Sequence, residues 1–284
     1  PHLFSSAASD VYKRQLIEPT TNTIIAESNS TGLIEPASMT KVMTAYVLAD
    51  QIDNDLISLD DKVLISEKAW KMGGSKMFIE VGKKVSIEDL LKGIIIQSGN
   101  DAAVAISEYV GGTEDGFVDL MNAYAVSLGM DNTDFRNSTG LPDEKHLTSS
   151  KDLATLTSNF MTKFPDIFAL FKEKEFEYGG ISGNKFNRNK LLWRDETADG
   201  VKTGYTSSAG YCLIGSAIRG NMRLITVVAG SDTANKSFAD TQRLLEYGFR
   251  FYATQKYFDA NKEYTKAKVW GGNCLLYTSP SPRD

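Results

Sequence analysis

Hydrophobic and polar positions near the start of the chain are grouped as they are in a β-hairpin. Apolar residues occupy positions 16–17 and 24–26, and the four residues 20–23 between them are all polar. Short apolar runs on either side of a polar cluster are typical of two strands joined by a turn. We therefore expect two short antiparallel strands at the beginning of the fold.

The apolar spacing becomes helical at residue 38. From there to about residue 49, apolar residues recur every three or four positions, which predicts a helix with a buried face. These apolar positions are Met39, Val42, Met43, Tyr46 and Val47. This first helix is expected to be a core element rather than a surface one.

Three further helices are predicted before residue 130. Ser86 stands three residues before an acidic residue, as in a capping box, so a helix should begin there and end near Gln97. Another should cover residues 101–110 and a third residues 113–128, each followed by glycine. The region from the opening strands to residue 160 is therefore expected to be mostly helical.

Strand patterns return after residue 175. Residues 176–186 surround several glycines in the manner of a hairpin, and the apolar runs 211–218 and 223–228 bracket a Gly-Asn turn. A last long helix is expected over residues 233–252, where apolar positions again repeat at helical spacing. The second half of the chain should thus supply most of the sheet.

This order of elements predicts an α+β fold. One antiparallel sheet is built from both ends of the chain and faced by helices, with an all-helical insertion between the strands. We expect residues 16–252 to form this domain and residues 253–273 to be the truncated start of a β-rich C-terminal domain. Residues 1–15 and 274–284 show no period that continues into their neighbours, and we expect them to be non-native flanks.

Composition and charge narrow the chemistry. The 284 residues include 31 Lys and Arg against 36 Asp and Glu, which leaves no basic surplus for a phosphate backbone, so we expect no nucleic-acid partner. His2 and His146 are the only histidines, so we expect no histidine-rich metal site. Cys212 lies in an apolar run and should be a small buried side chain. A membrane anchor would have to lie beyond this fragment, because no long apolar run occurs.

Ser38 and Lys41 are spaced so that they can meet. On a helix, side chains three residues apart lie on the same face, one turn apart. A hydroxyl that attacks a carbonyl needs a base, and a lysine serves when burial and a nearby cation keep it neutral. Ser182 and Lys185 repeat this spacing, but they lie in a glycine-rich stretch where we expect a turn.

Ser98 and Asn100 stand in the predicted break between two helices. Gly99 between them can turn the chain, so that both side chains face the same space. A hydroxyl at this point can relay a proton, and an amide can both donate to and accept from a peptide. A helix end followed by a helix start explains the same residues without any chemistry.

Lys202, Thr203 and Gly204 begin the strand region. Adjacent side chains of a strand point to opposite faces, so twist or a bulge must bring the Lys and the Thr together. Gly204 would leave room for a substrate backbone to lie along the strand. Taken alone, such a triplet is commonly a solvated turn.

In this order the three motifs resemble those of the penicillin-recognising serine acyltransferases. Longer stretches are similar to the low-molecular-mass penicillin-binding proteins that act as D-alanyl-D-alanine carboxypeptidases. These stretches read EPASMTKVMTAYV, QSGNDAAVAI, NSTGLPD, NRNKLLW and DGVKTGYTSSAGYCL. The resemblance implies a periplasmic or otherwise extracytoplasmic enzyme without a cofactor. It would remove the last D-alanine from peptidoglycan stem peptides ending in D-Ala-D-Ala, and β-lactams would inhibit it covalently.

The resemblance also implies the catalytic residues. Ser38 would be the acylated nucleophile and Lys41 its general base, with Ser98 relaying a proton. The backbone N–H groups of Ser38 and Tyr205 would form the oxyanion hole, a role in which the Tyr205 side chain matters little.

Substrate binding would fall to Asn100, Lys202, Thr203 and Gly204. The resemblance assigns the terminal carboxylate of the substrate to Lys202 and Thr203. Relatives commonly carry an Arg near the start of the last helix that helps to hold this carboxylate. Here Ser237 stands at the matching position, and the neighbouring Lys236 is either a replacement charge or a solvated lysine.

Three alternative functions stay open at this point. A D,D-endopeptidase acting on cross-links would share the motifs, because cleft shape sets specificity for the rest of the substrate. A class A-like β-lactamase would need a carboxylate to activate water, and the nearest acids, Asp143 and Glu144, are typical of a turn. An inactive penicillin-binding module would not need an intact nucleophile and base.

Two further places in the chain are given structural interpretations. His146 is expected to be a loop residue, and residues 70–75 are expected to be a surface connection or a wall of the cleft.

Overall fold

The computed structural model describes residues 12–180 and 184–257, and the backbone of residues 267–268 and 276–277. The chain divides into two units, Pro1–Tyr252 and Ala253–Asp284. In the second unit, the short strands Ala267–Lys268 and Leu276–Tyr277 pair antiparallel. The expected C-terminal domain over residues 253–273 lies mostly outside the described residues and stays a prediction, as do both flanks.

An antiparallel sheet of five strands forms the centre of the first unit. The strands of this unit are β1 (Lys13–Glu18), β2 (Thr23–Ser28), β3 (Lys62–Leu64), β4 (Lys84–Ser86), β5 (Ala198–Thr206), β6 (Gly210–Arg219) and β7 (Met222–Ser231). The large sheet has the order β2-β1-β7-β6-β5, and β3 pairs with β4 separately. Because β1 pairs with β7, both ends of the chain build one sheet, as predicted.

Helices cover both faces of this sheet. They are α1 (Thr40–Asp53), α2 (Glu67–Lys71), α3 (Ile87–Lys92), α4 (Asn100–Gly111), α5 (Glu114–Ser127), α6 (Ser150–Lys163), α7 (Pro165–Phe168), α8 (Leu191–Arg194) and α9 (Ala234–Phe251). The side chains of Ser86 and Thr113 cap α3 and α5, as the sequence predicts. Among the described residues, no helix combines the length and the hydropathy that a membrane span requires.

The strand period of two divides the apolar residues between two cores. Leu16 and Leu213 pack with α9, whereas their neighbours Ile17 and Ile214 belong to the larger core around α1. In α1 every residue from Thr40 to Asp50 is buried. The helix that carries Lys41 is therefore held on all sides, which confirms its predicted place in the core.

Three local predictions are corrected. Between residues 176 and 186 the described residues form a loop without strands, closed by a single bridge from Glu175 to Phe186. Strand β1 begins at Lys13, so residues 13–15 pair in the sheet although the pattern placed them in a flank. Backbone groups make these hydrogen bonds, so the side-chain pattern does not reveal them. The helical insertion also contains the short β3–β4 ladder.

The loop of residues 137–140 packs against the turn before α1. Asn137 Oδ1 accepts hydrogen bonds from the backbone N–H groups of Thr139 at 3.2 Å and Gly140 at 2.7 Å. Gly140 has a φ of +84°, and a Cβ there would lie 1.7 Å from the carbonyl oxygen of Ala37. The close approach of these two backbones therefore requires glycine.

We expect Gly140→Ala to destabilise the protein far more than Gly129→Ala. Both glycines have left-handed φ values, but nothing lies within 4 Å of a Cβ at Gly129. The left-handed backbone alone should lower the free energy of unfolding by about 1–2 kcal/mol, as in Gly129→Ala. Gly140→Ala should lose about 1–3 kcal/mol more, because Ala37 must move. Urea unfolding of both variants measures the difference, and equal losses would contradict the contact.

Candidate active site

Ser38 lies in the turn that opens α1. Residues Ala37–Met39 form one 3-10 turn that runs directly into the helix, and Ala37 adopts a left-handed φ of 47°. Lys41 follows one turn after Ser38, and its Nζ lies 3.1 Å from Ser38 Oγ. The two side chains meet, as their spacing predicts.

The amine of Lys41 is buried among oxygen atoms. Its Nζ lies 2.7 Å from Asn100 Oδ1 and 2.6 Å from the carbonyl oxygen of Thr139. Asn100 Nδ2 donates to the carbonyl oxygen of Gly73 at 2.8 Å. Since a carbonyl only accepts, this bond fixes the orientation of the Asn100 amide, with its oxygen facing Lys41.

Ser98 marks the break between α3 and α4. A π-helical turn, Gly93–Gln97, extends α3, and Ser98 itself adopts the left-handed conformation with a φ of 61°. Gly99 is non-helical and lies in this break, as predicted, but its φ of −60° is ordinary, and the left-handed residue is Ser98. A Cβ at Gly99 would approach Asp101 Oδ1 to 2.8 Å, so a close contact accounts for glycine there.

Lys202 reaches Ser98 from the edge strand β5. Its Nζ donates to Ser98 Oγ at 2.9 Å and to the carbonyl oxygen of Thr203 at 3.2 Å. Pairing with β6 stays in register from Gly200 to Thr206, so no bulge brings the Lys and Thr side chains together. Lys202 Nζ contacts Thr203 through the backbone carbonyl, and the expected bulge is not found between Gly200 and Thr206.

Gly204 lines the cleft and also lies close to the turn that carries Ser38. A Cβ at this position would lie 3.0 Å from the carbonyl oxygen of Pro36 and 3.1 Å from the Cβ of Ala37. The glycine therefore lets β5 approach the turn that carries Ser38. The predicted role of Gly204 in leaving room for a substrate backbone stays a prediction.

Burial and neighbouring cations act together on the two lysines. Burial, followed by the charges of Lys202 and Arg188, holds the pKa of Lys41 well below its usual range. Burial and the charge of Arg188 lower the pKa of Lys202 to about 7. Arg188 is fixed by its Nε, which donates to the carbonyl oxygen of Gln97 at 3.0 Å. The site thus favours an uncharged Lys41.

These residues surround a cleft of about 430 Å³. Of the predicted residues, its wall contains Ser38, Ser98, Thr203, Gly204 and Tyr205, while Lys41, Asn100 and Lys202 lie beneath it. Among the described residues, those that line the cleft include no aspartate or glutamate. The wall is therefore polar and cationic without a carboxylate.

Sequence reasoning missed two contributors to this site. The carbonyl of Thr139 and the guanidinium of Arg188 were assigned no role, although both lie in stretches that carry the resemblance, NSTGLPD and NRNKLLW. A backbone carbonyl leaves no trace in side-chain chemistry, so the sequence gives no signal for Thr139. Arg188 could have been suspected, because a lysine that must stay neutral is helped by a further cation close by.

Comparison with known proteins agrees with this geometry. Residues 6–233 match the family described as D-alanyl-D-alanine carboxypeptidase, peptidase S11. The chain belongs to this carboxypeptidase family. It is 40% identical over 265 residues to the D-alanyl-D-alanine carboxypeptidase DacC of Escherichia coli, covering 91% of this chain and 66% of that relative. The chain thus spans just under two thirds of that relative's length.

Solved structures support the family fold. Penicillin-binding protein 5 of Haemophilus influenzae is similar with a TM-score of 0.88 and 36% identity, over 93% of this chain and 78% of that one. Penicillin-binding protein D2 of Listeria monocytogenes, solved in an ampicillin-bound form, has a TM-score of 0.76 and 29% identity, over 84% and 96% of the respective chains. The predicted α+β fold and family are confirmed.

The other residues considered in the sequence lie partly in the cleft wall and partly outside it. Lys236 is exposed and its Nζ pairs with Asp232 Oδ2 at 2.8 Å, which fits the solvated-lysine interpretation. Ser237 is buried and lines the cleft. Glu144 is exposed in a turn outside the cleft wall, and Ser182 lies outside the described residues. Residues 70–75 contribute to the cleft through Ser75.

His146 supports the active-site helix instead of serving as a base. The backbone N–H of Arg136 donates to its Nδ1 at 3.2 Å, so the hydrogen of the neutral ring is on Nε2, which lies 2.9 Å from Thr40 Oγ1. Burial lowers the pKa of His146 to about 4. The ring is therefore neutral near pH 7, in a loop, as predicted.

We expect His146 to make the protein less stable in acid. Its pKa is about 4 when folded and about 6.5 when unfolded, so between these values the unfolded state binds the extra proton. Stability is complete above pH ~6.5 and falls as the pH is lowered toward 4, by about 2 kcal/mol at pH ~5. Urea unfolding at pH ~6.5 and at pH ~5 should show this loss of stability in the wild type and a smaller loss in His146→Gln. Equal slopes would contradict the neutral buried ring.

Proposed function

We propose that this protein is a serine-type D-Ala-D-Ala carboxypeptidase in which Ser38 is acylated with Lys41 as general base. The observation that carries the proposal is the set of oxygen atoms around Lys41 Nζ. A neutral amine has two N–H donors and one lone pair. Asn100 Oδ1 and the Thr139 carbonyl can only accept, so they occupy both donors. The lone pair then faces the Ser38 hydroxyl, which donates to it.

The acylation step follows from this arrangement. Ser38 Oγ attacks the carbonyl carbon of the penultimate D-alanine, and its proton passes to Lys41 Nζ as the new C–O bond forms. The leaving amine of the terminal D-alanine needs a proton when the C–N bond breaks. Ser98 Oγ, bonded to Lys202 Nζ at 2.9 Å, would donate its proton to the leaving amine and take up the proton that Lys41 received from Ser38, so that Lys41 is neutral again. Water then hydrolyses the ester and regenerates Ser38.

Charge in the cleft suits a substrate that ends in a carboxylate. Lys202 and Thr203 would hold this terminal group at the edge of β5, next to the buried Ser237. A bound carboxylate would also favour the protonated form of Lys202. The backbone N–H groups of Ser38 and Tyr205 would receive the oxyanion, and the Tyr205 side chain stacks on Tyr211 at 4.4 Å.

The same reasoning supports peptidoglycan stem peptides as substrates and β-lactams as covalent inhibitors. A strained lactam carbonyl can take the place of the D-Ala-D-Ala amide at Ser38. Rapid release would require a carboxylate that activates water, and the described residues that line the cleft supply none. A β-lactamase function is therefore disfavoured. Peptides that end in D-Ala-D-Ala belong to the cell wall, so we propose an extracytoplasmic or periplasmic place of action.

Intact-protein mass spectrometry tests the nucleophile. We expect one benzylpenicillin adduct per chain, and release of D-alanine from a D-Ala-D-Ala peptide but not from its L-Ala-terminated analogue. Ser38→Ala should abolish the adduct and reduce D-alanine release by at least about 10³-fold. Ser182→Ala, which removes the serine of the second Ser-x-x-Lys copy, is the matched control and should retain both. An adduct that persists in Ser38→Ala would disprove the assignment.

The pH dependence of acylation tests the cation that keeps Lys41 neutral. Removing the charge in Arg188→Gln should raise the pKa of Lys41 and of Lys202, so that acylation by benzylpenicillin requires a higher pH. The acidic limb of the acylation rate should move upward, and the rate near neutral pH should fall. Arg188→Lys keeps a positive charge and should move the limb less. If both variants move the acidic limb equally, the altered shape of the side chain causes the shift, and not the loss of its charge.

A further inference from the structure

A second cavity, of about 340 Å³, lies beside the catalytic cleft. Its wall consists of Phe186, Asn187, Lys190, Trp193 and Arg194, which we call the aromatic groove. Lys190 also lines the catalytic cleft, so the two spaces share a wall. A molecule bound in the cleft can therefore continue past Lys190 into the groove.

The aromatic side chains of the groove are exposed although the two residues before Trp193 are buried. Leu191 and Leu192 place α8 in the core, and Trp193, the next residue, is 46% exposed. Phe186 across the groove is 53% exposed. A helix that is already anchored by two leucines gains nothing from an exposed tryptophan, and exposed aromatic surface beside a cleft is typical of a ligand-binding groove.

The groove is also cationic. Within the described residues, neither Lys174, Lys190 nor Arg194 forms an ion pair with an acidic side chain. Lys174 Nζ lies 5.8 Å from the centre of the Trp193 ring. Arg194 Nη2 donates to Asn235 Oδ1 at 2.7 Å, and Asn235 lines the catalytic cleft. The free positive charges thus lie between the aromatic rings and the cleft.

We propose that the aromatic groove binds the part of the peptidoglycan substrate that extends out of the catalytic cleft. A sugar ring, with its apolar C–H face, would lie on Trp193 and Phe186. A carboxylate of the stem peptide would lie at Lys190 and Arg194. This proposal rests on the proposed function, because it assumes that the reactive end of the same polymer is at Ser38.

The chemistry of the substrate matches the order of the groups. A stem peptide leaves Ser38 with a carboxylate-bearing residue first and its sugar last, and four residues reach at most about 14 Å. Going outward from the cleft, the structure presents the Ser38 hydroxyl, then the cations Lys190 and Arg194, and then the aromatic rings of the groove. A purely acidic peptide would use the cations but leave the exposed faces of Trp193 and Phe186 without a ligand.

Steady-state kinetics with three substrates test the groove. They are an acylated tripeptide ending in D-Ala-D-Ala, the full pentapeptide without sugar, and the disaccharide pentapeptide. For the wild type we expect the lowest KM with the disaccharide pentapeptide. Trp193→Ala should raise that KM by about fivefold or more, as expected for loss of an aromatic anchor. It should leave kcat and KM for the tripeptide, and acylation by benzylpenicillin, within about twofold. Phe186→Ala should act in the same direction.

Trp70→Ala is the matched control, because Trp70 is 44% exposed and lines neither cavity. It should leave KM for all three substrates unchanged.

Lys190→Gln should raise KM for the pentapeptide and the disaccharide pentapeptide, and amidating the stem carboxylates should remove that effect. If Trp193→Ala raises KM equally for the pentapeptide with and without sugar, the rings do not bind the sugar and the proposal is overturned. If it changes none of the KM values, the groove is not a subsite. Absence of D-alanine release from the tripeptide by the wild type would instead refute the proposed function.

Discussion

Burial and neighbouring positive charge hold the pKa of the Lys41 amine well below its usual range, and the other groups of the site are arranged around this amine. A buried ammonium would need a compensating anion, but the atoms bonded to Lys41 Nζ are neutral oxygens, and the charges of Lys202 and Arg188 each outweigh that of Asp101. Burial of α1 on every side removes the solvent that would otherwise stabilise the charged form. Because α1 lies in the core, Lys41 is in the dry environment that its uncharged form requires.

The polar frame around this amine is built mainly from backbone. Thr139 offers its carbonyl, Gly73 orients the Asn100 amide, and Gln97 holds Arg188 through another carbonyl. Backbone groups within packed loops are fixed more firmly than long side chains, so the distances can be held without an entropic cost in the active site. Gly140 and Gly204 permit the close contacts on which this frame depends.

Electrostatics divides the work between the two lysines. Both are buried, and Arg188 lowers the pKa of each, but Lys41 also experiences the charge of Lys202. One amine is thereby kept as a base while the other, near pH 7, can still take a proton when an anion binds. Positive charge is also present at Lys190, which lines both the cleft and the aromatic groove, and at Arg194 in the groove, where a carboxylate-bearing polymer would meet it.

The sequence by itself determined the elements and the side chains of the site. Helical spacing predicted α1 and the meeting of Ser38 with Lys41, the hydrophobic runs predicted β6 and β7, and three short motifs indicated the family. These features depend on local periodicity and on side-chain chemistry, both of which can be seen in a linear chain. The same reasoning failed between residues 176 and 186, where the residues that the structure describes form a loop with a single bridge instead of a hairpin.

Only the tertiary structure decided what lies next to those side chains. The carbonyl of Thr139, the left-handed Ser98 and the contact of Gly204 with Pro36 arise from segments far apart in sequence, and backbone groups are the same in every residue. The degree of burial that keeps Lys41 neutral is likewise a property of the assembled core. For this protein, local patterns fixed which groups are available, and long-range packing fixed their distances, their exposure and hence their charge.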